Sequence, residues 1–525
     1  MSNTVSRTHH SKSWIAGIAV VGICLIVVGE FGAARGPYYL GKNNDPDYVY
    51  LLSSLGFLKG EVPVHTDHPG TPVQLIGAGA IGLVHLIAGD GPLVKDVLHR
   101  PEFYLISIRI VNCLILASML LLLVRWSCRL DFSLGVLAGL LLMPLASPQI
   151  LYGVCTFSPD ALLGIMSCLF GFCLFYISQQ SALTQTWKQP FWIGVLGGVG
   201  MAVKMNFLPL FIVPLVLFQG WKNRAWVIGG IAVGFIGSVI PILPRWGERL
   251  SWYWKVFSHT GYYGEGGTGV IDTSIYFGHL VNLIKNEPLL FVSALGGLWL
   301  GLPALRLTAS NQPDTAVRRL MLGISLAQLA QFIAVSKHPH LRYLLPALCL
   351  IGLQLALFWR WIEVRSSHTH KTSLRSVWAL SLVTVLVFSG WNGVWFRQRK
   401  MEDQAGATEV VRQVRILAQS SLIIEGYGTS SPAYAMKFGN SYGEKFTKEL
   451  TQEFPDAIFY DTKTSEFSDM GKVISLAEVI QRAGDRPVFL QCEYVLGHVS
   501  GLSGFRLTEL TVHNSEAIFV AVPDR

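Results

Sequence analysis

The chain has 525 residues, of which 51% are hydrophobic and 14% charged. A soluble domain averages about 25% charged residues, so the composition excludes a soluble enzyme with a single anchor. The net charge of +8 does not point to nucleic acid. No basic platform interleaved with aromatics occurs, and Lys and Arg fall mostly in short segments between apolar runs, as the positive-inside rule produces. The eight cysteines form no C-x-x-C pair, which leaves disulfide-framework, thiolate-metal and redox readings without support. No N-x-S/T sequon occurs, which favours a bacterial inner membrane over a eukaryotic secretory one.

In chain order, a basic N-terminus, "MSNTVSRTHHSKS", precedes an apolar run from Trp14 to Ala34. It reads as a first span with a cytoplasmic N-terminus, the alternative being a signal peptide cut near "GAARG". The run Val73–Ala88 is short and Gly-rich. Laid along the outer surface, it keeps residues 35–101 outside. Every strongly basic loop then falls inside: Arg125/Arg129, Lys188, Lys222/Arg224, Arg306/Arg318/Arg319 and "RWIEVRSSHTHKTSLR".

This threading predicts about eleven transmembrane helices of ~20 residues, near 14–34, 103–124, 132–150, 158–178, 190–204, 206–220, 225–245, 288–305, 319–336, 341–362 and 375–395. A second long outer loop covers 245–288. From Arg397 onward, short β-type runs ("SLIIEGY", "AIFY", "PVFLQC", "EAIFVAV") alternate with helical patterns. The expected fold class is therefore a mainly α, polytopic membrane protein, 1–396, followed by a small extracytoplasmic α/β domain, 397–525.

Ionisable groups at membrane depth are functional candidates. The first outer loop holds Asp45 and Asp47 in "NNDPDYVYLL", and His65, Asp67 and His68 in "HTDHPGTP". Asp45 precedes Pro46, which restricts it to extended or turn geometry, and Pro46 suits a helical first turn. Asp45 is then either only an N-cap or a carboxylate presented at the membrane surface. The late turn "SKHPHLRYLLP" carries Lys337, His338, His340 and Arg342 on the same outer side. Either these are snorkelling anchors, or they grip an anionic headgroup, for which Arg has the matching fork. Lys204 is a further cation at the outer end of two short spans, and Arg109 lies within a span in a structural or a catalytic role. A carboxylate facing such cations suits general-base activation of a nucleophile with charge stabilisation of a departing phosphate. Asp45, Asp47, His65 and His68 could also bind a divalent metal such as Mg or Mn, although their spacing fits no standard metal motif.

In the order and topological side of its motifs, the chain over roughly residues 10–395 resembles the GT-C superfamily of integral membrane glycosyltransferases. That superfamily includes protein O-mannosyltransferases, the aminoarabinose transferases of lipid A and oligosaccharyltransferases. The matching features are "DPDYVY" in the first outer loop, "HPGTPVQLIGA" before a juxtamembrane helix, "SPDALL" with Asp160, "GGVGMAVKMNFLP" ending in Lys204, and the late turn ending in "RYLLP". The resemblance implies transfer of a sugar from a polyprenyl-phosphate donor to a glycan, lipid or protein acceptor on the periplasmic face. It gives Asp45 the role of general base or acceptor-orienting carboxylate and Asp47 that of second acid. It puts Lys204, Lys337 and Arg342 on the donor phosphate and lets Tyr343 shape the pocket, with Asp160 and His340 beside them among the substrate-binding candidates. His65 and His68 match no motif of the family, and bind phosphate, bind acceptor or fill the loop. Many members carry Asp-Glu where this chain has "DPD", closer to the "DP" of oligosaccharyltransferases, which leaves acceptor class and metal use open.

Two other classes compete. A transporter or flippase for a lipid-linked intermediate would carry ionisable groups at mid-membrane and internal repeats. A non-catalytic assembly component would use the α/β domain to bind a partner.

Overall fold

The computed structural model describes residues 2–523 apart from 64, 181–185, 306–312, 366–367, 462–463, 494–501, 503 and 514–515. The chain is, among the described residues, mainly helical, with a seven-stranded sheet near its C-terminus. Among the described residues, seven helices are long and apolar enough to cross a membrane, or nine if two bent pairs each count as one span. The chain is an integral membrane protein.

The eleven regular spans expected from hydropathy are thus modified, and each departure has a local cause. The run expected over 132–150 breaks into Leu134–Leu145 and Pro148–Val154, bent by 63°. Ser147, ahead of Pro148, is extended at φ −150°, because the proline ring excludes the α region for its predecessor. Before Pro288, the Thr273–Asn286 and Pro288–Ala304 helices meet at 92°. The Pro313–Val335 helix is too polar to pass as a span. Its Arg318, Arg319, Ser325, Gln328 and Gln331 are all buried by protein, so it has no need of a lipid-compatible surface. Arg318 and Arg319, expected in a loop, lie in this helix, and Arg318 caps the Leu300 carbonyl at 2.8 Å. Arg306 lies outside the described residues. Thr71–Ala88, read as a surface helix, is long and apolar enough to cross.

The chain forms two compact units. The first comprises residues 1–28, 66–73 and 112–394. Here Lys188–Val203 and Trp221–Val239 pack through facing G-x-x-x-G faces. A Cβ on Gly194 would lie 2.2 Å from the Val227 carbonyl, and one on Gly234 would lie 2.2 Å from that of Val195. Small residues permit this backbone approach, which is how helices associate where lipid removes the hydrophobic drive.

The second unit comprises residues 29–65, 74–111 and 395–525. Its strands are β1 (Leu422–Glu425), β2 (Ile458–Asp461), β3 (Glu466–Ser468), β4 (Val473–Ile474), β5 (Val488–Glu493), β6 (Phe505–His513) and β7 (Glu516–Pro523), in the order β4-β3-β2-β1-β5-β7-β6. β1 is parallel to β2 and β5, and all other pairs are antiparallel. Ile424, Ile458, Leu490 and Ala517 fill one core. On the other face, Val410 and Val414 from the end of the His368–Leu417 helix cover Phe489 and Ile518. The stretch "SSPAYAMKFGNSYG" contains a helix, Pro432–Asn440. That helix packs on the Asn44–Leu58 helix, where a Cβ on Gly439 would sit 2.8 Å from the Tyr48 carbonyl.

Candidate functional site

In the first unit, four of the sequence candidates converge. Ser158 caps the Pro159–Ser178 helix, and Pro159 and Asp160 occupy its first turn. There the helix dipole favours a carboxylate. Lys204 ends the Gly-rich helix in an extended conformation, φ −159° and ψ 133°, which turns its side chain out of the helix. Its Nζ donates to Asp160 Oδ1 at 2.6 Å, with 2% and 10% of the two side chains exposed. The same ammonium lies 4.9 Å from the centroid of the Tyr343 ring, and the Arg342 guanidinium lies 5.3 Å from it. Two cations on one ring form a cation–π cluster whose electrostatics strengthen as water is excluded.

Tyr343 is fixed from several sides. Its carbonyl accepts from Gln331 Nε2 at 2.7 Å and Asn206 Nδ2 at 3.3 Å, and its hydroxyl meets that of Tyr263 at 3.0 Å. His338 stacks on Tyr263 with planes 9° apart. His340 caps the short 3-10 helix Leu341–Leu344, accepting from the Arg342 N–H at 3.3 Å. Lys337 donates to the Val256 and Phe257 carbonyls at 2.6 and 2.8 Å, so it ties the turn to the end of the Trp246–Ser258 helix. Burial lowers the pKa of Lys337, and burial with the charge of Lys337 lowers that of His338. Arg342 is held differently: its Nε is out of solvent with no hydrogen-bond partner among the described residues.

The segment 66–73 joins this unit. The Gly70 N–H donates to the Ala202 carbonyl at 3.0 Å, and Asp67 pairs with Arg249 at 2.7 Å. His68 is therefore two residues from an anchor that is itself two residues from Lys204.

In the second unit, the two aspartates of "DPD" differ sharply. Asp45 is exposed and extended, φ −98° and ψ 123°, the geometry that a following proline imposes. Asp47 is fully buried and accepts from Arg35 Nη2 at 2.5 Å, with Arg35 3% exposed. The guanidinium also donates to the Asn43 carbonyl at 2.6 Å and covers the Tyr38 ring at 4.4 Å. Glu102 accepts from the Tyr38 N–H, the Tyr39 N–H and the Tyr48 hydroxyl at 3.0, 3.2 and 2.9 Å. The segment leading to Asp45 is thus held by a guanidinium and a carboxylate, neither of which the sequence singled out. His65 is buried, its carbonyl accepts from Gln74 Nε2 at 2.5 Å, and its ring meets those of Tyr50 and Tyr442 edge-on at 5.2 and 4.7 Å. Arg109 lies across Gly32, where any Cβ would meet its guanidinium.

Among the described residues, no three or more His, Cys, Asp or Glu side chains are grouped as a metal site.

The sequence matches no known family model and no curated protein. Among solved structures, the crystal structure of ArnT from Cupriavidus metallidurans bound to undecaprenyl phosphate is similar to it. The identity is 12%, the match covers 96% of this chain and 97% of that one, and the TM-score is 0.48.

Proposed function

We propose that this chain is a GT-C-type glycosyltransferase that moves a sugar from a polyprenyl-phosphate donor to an acceptor on the outer, periplasmic face of a bacterial inner membrane. The observation that carries the proposal is the cation cluster on Tyr343: a buried Lys204 neutralised by Asp160, and an Arg342 Nε with no partner among the described residues. Such a cluster suits a phosphate whose charge grows as the sugar leaves it. A positioned cation then stabilises the transition state more than the ground state.

In this reading the acceptor hydroxyl attacks the anomeric carbon, and the bond from that carbon to the phosphate oxygen breaks. Polyprenyl phosphate leaves with the electron pair, and the hydroxyl proton passes to a carboxylate. Asp45, exposed at the head of its helix, is the proposed acceptor of that proton. Asp47 is proposed as an anchor rather than a second acid, since its charge is already matched by Arg35. Lys204, Arg342 and Tyr343 are proposed as the donor-phosphate site. Lys337 and His340 are proposed to hold the turn that carries Arg342, and His65 and His68 to shape their own segments.

The test is sugar transfer in membranes from a deletion strain, with lipid-linked sugars identified by mass spectrometry. Asp45→Asn should abolish transfer while undecaprenyl phosphate still binds. Unimpaired transfer by Asp45→Asn would overturn the chemistry. Movement of the intact lipid-linked sugar across the membrane without transfer would favour a flippase.

A further inference from the structure

The second unit joins its α/β sheet to the segment that bears Asp45. Gly41 lies four residues before Asp45, with a left-handed φ of +51°, a conformation that favours glycine. Its N–H donates to Ser430 Oγ at 2.6 Å. Ser430 is 3% exposed and sits in the loop that leaves β1. Its own hydroxyl donates to Glu516 Oε2 at 2.6 Å, and its N–H donates to Glu516 Oε1 at 2.8 Å. Gln491 Nε2 adds a third bond, to Oε1 at 2.6 Å. Glu516 is 3% exposed at the start of β7, paired with β5. The carboxylate accepts the Ser430 proton, so a lone pair of that hydroxyl is directed at Gly41. Thr429 fixes the loop further, donating to the Gly426 and Gln491 carbonyls at 2.7 and 2.9 Å. On the other side of Asp45, Gly439 packs on the backbone of Tyr48. The sheet domain thus grips the chain four residues before Asp45 and three residues after it.

We propose that Ser430, oriented by Glu516, is a positioning residue that sets the Gly41 turn and through it the Asp45 carboxylate. This rests on the glycosyltransferase reading for its consequence on turnover, but not for the relay itself. The α/β domain is in this view the mount of the catalytic loop and not an appendage that recruits acceptor. Burial pushes the Glu516 carboxyl up from its ordinary value, and the bonds donated by Ser430 and Gln491 oppose that shift.

The experiment uses the full chain in lipid nanodiscs, with Ser430→Ala, Ser430→Thr and Glu516→Gln. Hydrogen exchange is followed at residues 38–47 and in β1 and β5, together with undecaprenyl phosphate binding and turnover at saturating donor. Ser430→Ala is expected to speed exchange at the Gly41 amide at least about tenfold, the signature of a lost protecting bond. Amides of β1 and β5 stay protected. Turnover falls roughly 10- to 100-fold, the scale of a small misplacement of a reacting group, with undecaprenyl phosphate binding unchanged. Ser430→Thr restores both. If Ser430→Ala also opens the sheet, the isosteric Glu516→Gln decides. Unchanged Gly41 exchange overturns the proposal, and so does faster exchange with full turnover. A wild-type chain that transfers no sugar would overturn the glycosyltransferase reading instead, and Gly41 exchange would still decide the relay.

Discussion

Lys204 and Asp160, from two different helices, form an ion pair of 2.6 Å with 2% and 10% of their side chains exposed. A buried pair of this kind is weak evidence for stability, because desolvation offsets most of the attraction, whereas removing one partner alone is costly. The Lys204 ammonium also faces the Tyr343 ring, which the Arg342 guanidinium faces as well.

Lys204→Met should therefore destabilise the chain by about 3–5 kcal/mol, the scale for an orphaned buried charge. The double variant Lys204→Met/Asp160→Leu should recover most of that stability, yet bind undecaprenyl phosphate no better than Lys204→Met. Thermal unfolding and lipid binding on the same samples separate the two effects. Full binding by the double variant would remove Lys204 from the phosphate site.

The two aspartates of "DPD" should respond oppositely. Asp47→Asn removes the carboxylate bonded to the buried Arg35 guanidinium and should cost about 3–5 kcal/mol. Asp45→Asn, on an exposed group, should change stability by less than about 0.5 kcal/mol while abolishing transfer. Unfolding midpoints of the two variants check the contrast; equal losses would show that Asp45 is also structural.

Close packing gives a third prediction. Gly194→Val sets a side chain against the Val227 carbonyl, where a Cβ already lies at 2.2 Å, and should prevent assembly of the first unit. At Gly229 an added methyl would meet nothing within 4 Å, so Gly229→Ala should stabilise by about 0.5–1 kcal/mol through the backbone alone. Detergent-resistant yield and melting temperature read both.

The α/β domain should lose stability as pH rises. Burial pushes Glu425 from its ordinary value up to about 7, and Glu516 moves in the same direction. The folded state then holds a proton that the unfolded chain has released, so stability is greatest below the unfolded value near 4.5 and falls until the pH passes about 7. Hydrogen exchange in β1 and β5 at pH 5.5 and pH 8, corrected for intrinsic rates, should show the loss, and Glu425→Gln should flatten it. A wild-type profile without slope would mean that these carboxyls stay ionised throughout.

Much of the architecture is legible in sequence: hydropathy reports the first span and the broad helical bundle, and short β-type runs mark the strands β1, β2, β5 and β7. The bend at Ser147 is not, since it lies inside an apolar window whose average ignores the extended residue before a proline. Pro313–Val335 fails in the opposite sense, its polar groups being shielded by protein. Asp160, Lys204, Arg342 and Tyr343 each stand out in sequence as charged or aromatic groups beside apolar runs. Their convergence is not legible, because 44 residues and a helix junction separate Asp160 from Lys204. Pro46 sets Asp45 apart in sequence by imposing its extended backbone, whereas the pairing of Asp47 with Arg35 is not legible there. Ser430 and Glu516 carry no motif at all.

The central claim is that the cations on Tyr343 hold the phosphate of a polyprenyl lipid. Its most direct test is the binding of undecaprenyl phosphate to the purified full chain, compared with Arg342→Ala and Arg342→Lys. The account predicts saturable binding by the wild type and a loss of at least about tenfold, or 1.4 kcal/mol, in Arg342→Ala. Arg342→Lys should recover only part of it, since an ammonium lacks the planar fork. Equal binding by all three would contradict the account.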